Sequence, residues 1–362
     1  MRVPRGIVGV VGAGALLLIS GCSDDSGSGE GGGEESAATT GDGGAAAEPT
    51  ALALDTTTQS STWTDDSDAA HDVEITPVGL ARGDAADLER IQLPDDMEGL
   101  VPYYLTVSYT PTGAALPEGD LDGFNVVGAD GWAGERMTVM SGFSYDGAES
   151  PLPAACDAEA PERIAAGEAV EVCQIHMVPP GLAPATVSYV DDGTGPLLWP
   201  VEASEPEGGE GSAVLPAGES VDTAWQNSDE QDIPLNVTPV GVTAGSAADL
   251  SDWDVDTEGK VPYYVTFEYR NDSPELDLYP DMQENVELRT ASGQEATKVL
   301  LLDVYGREVE QCPARVPDEM AAPGATVTQC SIHMLQEGDV PASLSFGPRG
   351  ADHVYWYAPE AG

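Results

Sequence analysis

The chain has 362 residues and carries 64 Asp and Glu against 13 Lys and Arg, a formal net charge of −51. This balance excludes nucleic-acid binding, because phosphate contacts need clustered lysines and arginines. It also argues against a folded surface that docks on anionic lipid headgroups. Hydrophobic residues make up 41% of the chain, which excludes a wholly disordered acidic polymer.

The N-terminal segment predicts an export signal. Two arginines precede an apolar stretch at 6–19 that is short for a membrane-spanning helix. The stretch runs into Ile19-Ser-Gly-Cys22, where an aliphatic residue and two small residues precede a cysteine. This pattern resembles a bacterial lipoprotein signal peptide, with 1–21 removed and the thiol of Cys22 lipidated. The alternative is an ordinary secretory signal with a chance cysteine.

Residues 22–52 predict a flexible acidic linker of Gly, Ser and Ala, since they lack any periodic apolar pattern. We therefore expect a protein on the extracytoplasmic face of the cell membrane, held there by its lipid anchor. The linker would hold the folded part away from the bilayer.

An internal duplication organises the rest of the chain. Val73–Gly79 recurs as Leu235–Gly241, and Cys173-Gln-Ile-His-Met177 recurs as Cys330-Ser-Ile-His-Met334. The duplication predicts two homologous domains, at 53–203 and 217–362, with a polar linker at 204–216. The other matched blocks are Gly83–Leu88 with Gly245–Leu250, Glu98–Tyr104 with Glu258–Tyr264, Trp63 with Trp225, and Trp199 with Trp356.

Hydrophobic residues alternate with a period of two within each domain. Val101, Tyr103, Leu105, Val107 and Tyr109 alternate with more polar residues, which is typical of a strand in an antiparallel sheet. Turn residues separate such segments, and long helical patterns are absent from the sequence. About seven short strands per domain predict an all-β fold of two tandem immunoglobulin-like antiparallel β-sandwiches. Besides 101–110, the predicted strands of the first domain are 73–80, 136–142, 169–178, 184–190 and 196–202.

The cysteines support this organisation. Cys22 is assigned to lipid, which leaves Cys156 and Cys173 in the first domain and Cys312 and Cys330 at matching positions in the second. An exported chain meets an oxidising compartment, so we expect one disulfide within each domain. Two other connectivities exist, but both would tie one domain to the other.

Two segments of the second domain carry a family resemblance. Tyr264–Asn271 followed by Val286–Gly293 resembles a pattern in immunoglobulin-like β-sandwich lipoproteins and secreted antigens of Gram-positive bacteria, chiefly actinobacteria, a family of unknown function. The pattern continues at Pro323–Met334, and at Ala166–Pro179 in the first domain. The first domain departs from it, because Thr110 replaces Arg270 and no asparagine follows. The resemblance implies fold and extracytoplasmic location and transfers no catalytic residues.

The sequence shows no catalytic motif, so we expect a non-enzymatic protein without a cofactor. The repeated Cys-x-Ile-His-Met places a thiol, an imidazole and a thioether near one another, which makes His176 and His333 candidate metal ligands. Strand alternation, however, turns each histidine away from its Cys and Met. The favoured interpretation is therefore a core Cys and Met with a histidine on the surface.

Two tryptophans lie outside the duplication, in predicted loops, and are the candidate ligand contacts: Trp132 and Trp253. The acidity is attributed to a hydrated, salt-tolerant surface and to genome composition, with recognition of a cationic partner as the alternative. The sequence thus predicts a surface lipoprotein with a binding or structural role, whose partner is an extracellular protein or the cell wall. The alternatives are a metal-handling lipoprotein and an accessory subunit that binds a solute or polymer.

Overall fold

The computed structural model describes residues 49–65, 67, 69–88, 91, 93–117, 121–138, 156, 160–191, 194–202, 214–301 and 308–359. The predicted signal peptide, Cys22 and most of the first linker lie outside these residues. Residues 46–362 form one compact unit. Strands dominate it, and its described helices are short 3-10 turns at Ala85–Leu88, Ala247–Leu250 and Gln283–Asn285.

The first repeat, 49–202, contains strands β1 to β9. They are β1 (Thr50–Leu52), β2 (Gln59–Thr64), β3 (Ala70–Arg82), β4 (Val101–Pro111), β5 (Phe124–Gly128), β6 (Glu135–Met137), β7 (Val170–Val178), β8 (Pro184–Asp191) and β9 (Thr194–Pro200).

The second repeat, 214–359, contains strands β10 to β18. They are β10 (Val214–Leu215), β11 (Val221–Gln226), β12 (Asp232–Ala244), β13 (Lys260–Asn271), β14 (Val286–Thr290), β15 (Thr297–Val299), β16 (Thr326–Gln336), β17 (Pro341–Phe346) and β18 (Val354–Tyr357).

Each repeat is a sandwich of two sheets. In the first repeat one sheet has the order β3-β4-β7-β6, with β1 and β2 both pairing β3, and the other has the order β5-β8-β9. The second repeat has β11-β12-β13-β16-β15 facing β10-β18-β17-β14. The pairs are antiparallel except β10 with β18. If β3 and β12 are named strand A, the strands that follow in each repeat are B to G in chain order, which are β4 to β9 and β13 to β18. Both repeats then have the A-B-E-D and C-F-G sheets of a constant-type immunoglobulin domain. The predicted all-β sandwich is confirmed.

Both repeats begin earlier than the predicted boundaries at 53 and 217. β1 pairs with the end of β3, and β10 pairs with β18. These strands have three and two residues. An alternation of apolar and polar residues needs a longer segment to be recognised, so the sequence gives no signal for them.

The sheets of each repeat enclose a hydrophobic core, and each core contains one fully buried tryptophan from its last strand, Trp199 or Trp356. The indole N–H of Trp199 donates to the carbonyl of Thr57 at 2.7 Å, and that of Trp356 to the carbonyl of Glu219 at 2.8 Å. The hydrogen bond satisfies the polar end of a side chain that is otherwise in apolar surroundings. These equivalent contacts tie the last strand of each repeat to the segment before its A strand.

A second, smaller core covers the outer face of each A-B-E-D sheet. On β4, Tyr103 points into the main core and Tyr104 into the small core, where Ile175 and Met177 of β7 also pack. The second repeat has the same arrangement around Tyr264. The sheet is therefore buried on both faces, which determines where the side chains of the Cys-x-Ile-His-Met segments lie.

Candidate functional site

The disulfides close the small outer cores. Cys156 is bonded to Cys173, with Cα atoms 5.0 Å apart, and Cys312 is bonded to Cys330, with Cα atoms 5.2 Å apart. These are the pairs predicted from the duplication. Each disulfide joins the loop before the E strand, β7 or β16, to that strand. All four thiols outside the signal segment are consumed by these bonds.

The repeated blocks build the rest of each small core. The hydroxyl of Tyr104 donates to Asp87 at 3.1 Å, and that of Tyr264 donates to Asp249 at 2.9 Å. Burial, followed by the neighbouring aspartate, raises the pKa of both tyrosines, so each hydroxyl keeps its proton and remains a donor. The Gly-x-Ala-Ala-Asp-Leu and Val-Pro-Tyr-Tyr blocks are thus two halves of one structural contact.

The histidines are not on the surface, and that interpretation of the sequence is wrong. His176 and His333 each have 0% of their surface exposed. Alternation does separate them from Cys and Met, but it directs them into the main core of the sandwich instead of into solvent. The physical reason is the small outer core, which buries the face of the sheet that carries Cys173 and Cys330.

Each histidine lies beside a cation of the D strand. Arg136 pairs with His176 across β6 and β7, and Lys298 pairs with His333 across β15 and β16. Burial, and then the adjacent cation, lowers the pKa of both imidazoles to about 3. Both rings are therefore neutral at physiological pH.

Few hydrogen bonds compensate for burying these rings. His333 Nε2 lies 2.9 Å from the hydroxyl of Ser331. Its Nδ1 and both ring nitrogens of His176 make no hydrogen bond of ordinary geometry within the described residues, although a weaker interaction with the backbone of Gly134 acts on the ring of His176. Buried polar atoms without partners cost free energy, so the two histidines are weak points of the cores.

The metal hypothesis gains no support from this geometry. His176 and His333 belong to different repeats and lie in separate cores, and the nearby thiols are in disulfides. Across the described ranges, no group of three or more His, Cys, Asp or Glu side chains is placed to hold a metal ion.

Trp132 is exposed, as the loop prediction implied, with 39% of its surface accessible. The guanidinium carbon of Arg289 lies 3.8 Å from the centre of its ring, and the ring of Tyr355 packs edge-on at 6.3 Å. Both partners come from the second repeat. Trp132 therefore lies at the junction between the repeats, where its stacking on arginine contributes to holding them together.

The junction continues as a buried polar network. Ser188 donates from its hydroxyl to the carbonyl of Ser292 at 2.7 Å, and Ser343 donates in the same way to the carbonyl of Asp130. The hydroxyl of Ser292 in turn donates to the carboxylate of Asp339 at 2.6 Å. Serine hydroxyls and main-chain carbonyls give no periodic signal, so sequence reasoning missed every member of this network. The only signal was the unpaired Trp132.

Trp253 lies elsewhere. It is half-buried against the small core of the second repeat, next to Leu250 and Tyr264. Its ring contributes to that core, so it offers less surface to a ligand than Trp132 does.

A polar cleft lies beside the junction. It is lined by Lys260, Thr290, Glu295, Gln336 and Asp339, among others, and its cavity volume is about 50 Å³. That volume is far below the roughly 300–1,000 Å³ of small-molecule sites. The ammonium of Lys260 is paired with Asp256 at 3.0 Å, and Asp256 is not among the described residues that line the cleft.

Comparison of the chain with protein-family models, with curated proteins and with solved structures gave no match. The immunoglobulin-like assignment therefore rests on the strand order itself. Among the residues described, none of the helices has the length and apolar character needed to span a bilayer.

Proposed function

We propose that this chain is an extracytoplasmic lipoprotein that presents a rigid pair of immunoglobulin-like sandwiches at the cell envelope for non-enzymatic binding. The two disulfides carry the proposal. Bonds of this kind persist in oxidising compartments, and both cysteine pairs are bonded. The signal-like segment ending in Cys22 supports lipid attachment, because Cys22 is the one cysteine of the five that is not paired in the two disulfides.

The anchor is tested in a bacterial host by metabolic labelling with a clickable fatty acid, followed by membrane fractionation. The wild-type chain is expected to take up label and sediment with membranes. Cys22→Ala is expected to lose the label. The matched control is the Cys312→Ala, Cys330→Ala double variant, which should keep it. Equal labelling of wild type and Cys22→Ala would exclude the anchor.

The junction around Trp132 is the surface we assign to binding, because a partly exposed tryptophan beside an arginine is a common contact for a partner. The test is co-sedimentation of the fragment 46–362 with purified cell walls at low and at high salt. Binding that persists at high salt and falls at least about tenfold for Trp132→Ala, while the variant sediments as the same compact particle as the wild-type fragment, supports the assignment. Trp253→Ala is the matched control. Binding that is unaffected by Trp132→Ala would place the contact elsewhere.

A further inference from the structure

Two loops at one end of the second sandwich are tied together. The main chains of Leu278 in the B–C loop, 272–285, and Ala321 in the D–E loop, described at 308–325, exchange two hydrogen bonds of 2.9 Å. The buried amide of Asn271 also donates to the carbonyl of Ala321 at 2.9 Å. Leu278 and Ala321 are both buried in the main core. The two loops are therefore held against each other and anchored to the sandwich.

The tied loops lie at the end of the sandwich that is remote from the junction. They precede β14 and β16, and both strands run from them to the opposite end. There the turns that follow the two strands are joined by the hydrogen bond from Ser292 to Asp339. The first repeat contacts the second at those turns, through Ser188 for instance. The tied loops thus point away from the first repeat.

Large apolar side chains are exposed on the tied loops. Tyr279 is 56% exposed, Val316 is 52% exposed and Met320 is 48% exposed. Tyr279 follows Leu278 and Met320 precedes Ala321, so the two exposed residues are neighbours across the bridged pair and face outward. Exposed apolar residues that lie together mark interaction sites more often than isolated ones do.

Arg315 holds the exposed tyrosine ring in place. Its guanidinium carbon lies 5.6 Å from the centre of the Tyr279 ring, and its Nη1 donates to the carbonyl of Pro280 at 3.5 Å. Its Nε donates to the carboxylate of Asp318. An aromatic ring that is already ordered loses little conformational entropy when a partner binds, and tyrosine and arginine are frequent in binding hot spots. We name Tyr279, Arg315 and Met320 the distal patch.

Negative charge surrounds the distal patch. The exposed carboxylates nearest to it in the chain are Glu275, Asp277, Asp318 and Glu319. Among the described residues of the tied loops, Arg315 is the only cation, and it is paired with Asp318. Charge complementarity therefore favours a cationic partner, and it opposes anionic lipid headgroups and anionic wall polymers.

The first repeat has different residues at this position. Its corresponding bridge joins Leu116 to Ile164. Pro117 and Arg163 consequently stand where the second repeat has its exposed tyrosine and methionine. The fold thus does not require exposed apolar residues here, so the distal patch is a property of the second repeat alone.

We propose that the distal patch docks a polypeptide segment in which an apolar side chain lies between lysines or arginines. The apolar side chain packs on Tyr279 and Met320, and the flanking cations approach the carboxylates of the tied loops. This surface is separate from the junction around Trp132, and the proposal does not depend on the lipid anchor.

Fluorescein-labelled octapeptides and the compact unit 46–362 test the proposal by fluorescence anisotropy. The peptides carry leucine, tryptophan or serine at the centre, between flanks of lysine, serine or glutamate. With lysine flanks, a leucine or tryptophan centre should bind at least about tenfold tighter than a serine centre. Glutamate flanks should abolish binding, and NaCl at about 0.5 M should weaken the binding of the lysine peptides. Equal affinities for apolar and serine centres, or for lysine and serine flanks, would overturn the proposal, as would no binding of any lysine peptide.

Serine variants test the apolar contact. Tyr279→Ser combined with Met320→Ser should abolish the preference for an apolar centre. Val240→Ser is the matched control, because Val240 is 51% exposed on strand A of the same repeat, and it should keep the preference. Thermal unfolding should give the same midpoint for both, since all three side chains are at the surface. A wild-type preference in the double variant would contradict the proposal.

Charge variants test the cationic flanks without altering the apolar residues. Asp277→Asn combined with Glu319→Gln should weaken the binding of the lysine peptides. Glu74→Gln combined with Glu171→Gln is the matched control, because it removes the same charge at exposed positions of the first repeat. The control should lose less affinity, since its carboxylates lie away from the distal patch. Equal losses for the two variants would mean that the peptides bind through the overall charge of the protein, which would overturn the proposal.

Discussion

Buried histidines make the stability of this protein sensitive to acid. With a folded-state pKa of about 3 against 6.5 in the unfolded chain, His176 and His333 bind protons only when the chain unfolds. These two groups therefore leave the free energy of unfolding unchanged above pH 6.5, and they lower it as the pH falls from there toward 3. At pH 5 the expected loss is about 2 kcal/mol of unfolding free energy for each histidine.

Denaturant unfolding at several pH values, on wild type and on His176→Gln, measures this loss. Between pH 7 and 5 the variant should lose less stability than wild type. His353→Gln, at an exposed position, is the matched control and should follow wild type. A wild-type curve without any decrease in this range would show that the rings are not buried in neutral form.

The small outer core depends on the absence of a side chain at Gly245. A Cβ there would lie 2.6 Å from the ring of Tyr264, whose hydroxyl is bound to Asp249. Gly245→Ala must displace that tyrosine and is expected to cost about 1–3 kcal/mol of stability. Gly241→Ala is the matched control, because its would-be Cβ has no atom within 4 Å. Equal midpoints for the two variants in urea would contradict this packing.

At the level of the strands, the alternation of apolar and polar residues predicted the longer strands of the first repeat and missed β5. β3, β4, β7, β8 and β9 have clear sequence signals and lie where they were expected, within a few residues. β5 was missed because Val126, Val127 and Gly128 are all buried in succession. Its outer face lies against the second repeat, at Gly293, so the polar half of the alternation is absent.

The same limit explains the error at the histidines. The sequence correctly separated His176 from Cys173 and Met177, but alternation alone does not say whether a polar face meets solvent. On β7 and β16 both faces are covered, so even the polar positions are buried. The junction was beyond prediction because serine hydroxyls bonded to main-chain carbonyls leave no pattern in the sequence.

The disulfides act on single elements, each attaching a loop to an E strand. They close loops of 17 and 18 residues, for which chain entropy gives a stabilisation of about 3 kcal/mol each. The Cys312→Ala, Cys330→Ala double variant is expected to lose about that amount in urea unfolding, and so is the Cys156→Ala, Cys173→Ala variant. A loss below about 1 kcal/mol for either pair would mean that its disulfide is absent in solution.

For the whole molecule, the net charge of −51 governs the response to salt. Repulsion among carboxylates destabilises the compact state, and screening relieves it. The melting temperature should therefore rise between low salt and about 1 M NaCl. Sucrose at equal osmolality is the control for solute exclusion. A melting temperature that is flat or falls with NaCl would contradict the assignment of the acidity to a salt-tolerant surface.

The most direct test of the account as a whole is non-reducing peptide mapping by mass spectrometry of the chain isolated from cell membranes. The account predicts an N-terminal peptide that begins at a lipid-modified Cys22. It also predicts the linked pairs Cys156–Cys173 and Cys312–Cys330, with no free thiol. An unprocessed N-terminus with an unmodified Cys22 and reduced cysteines would contradict both the extracytoplasmic location and the lipid anchor.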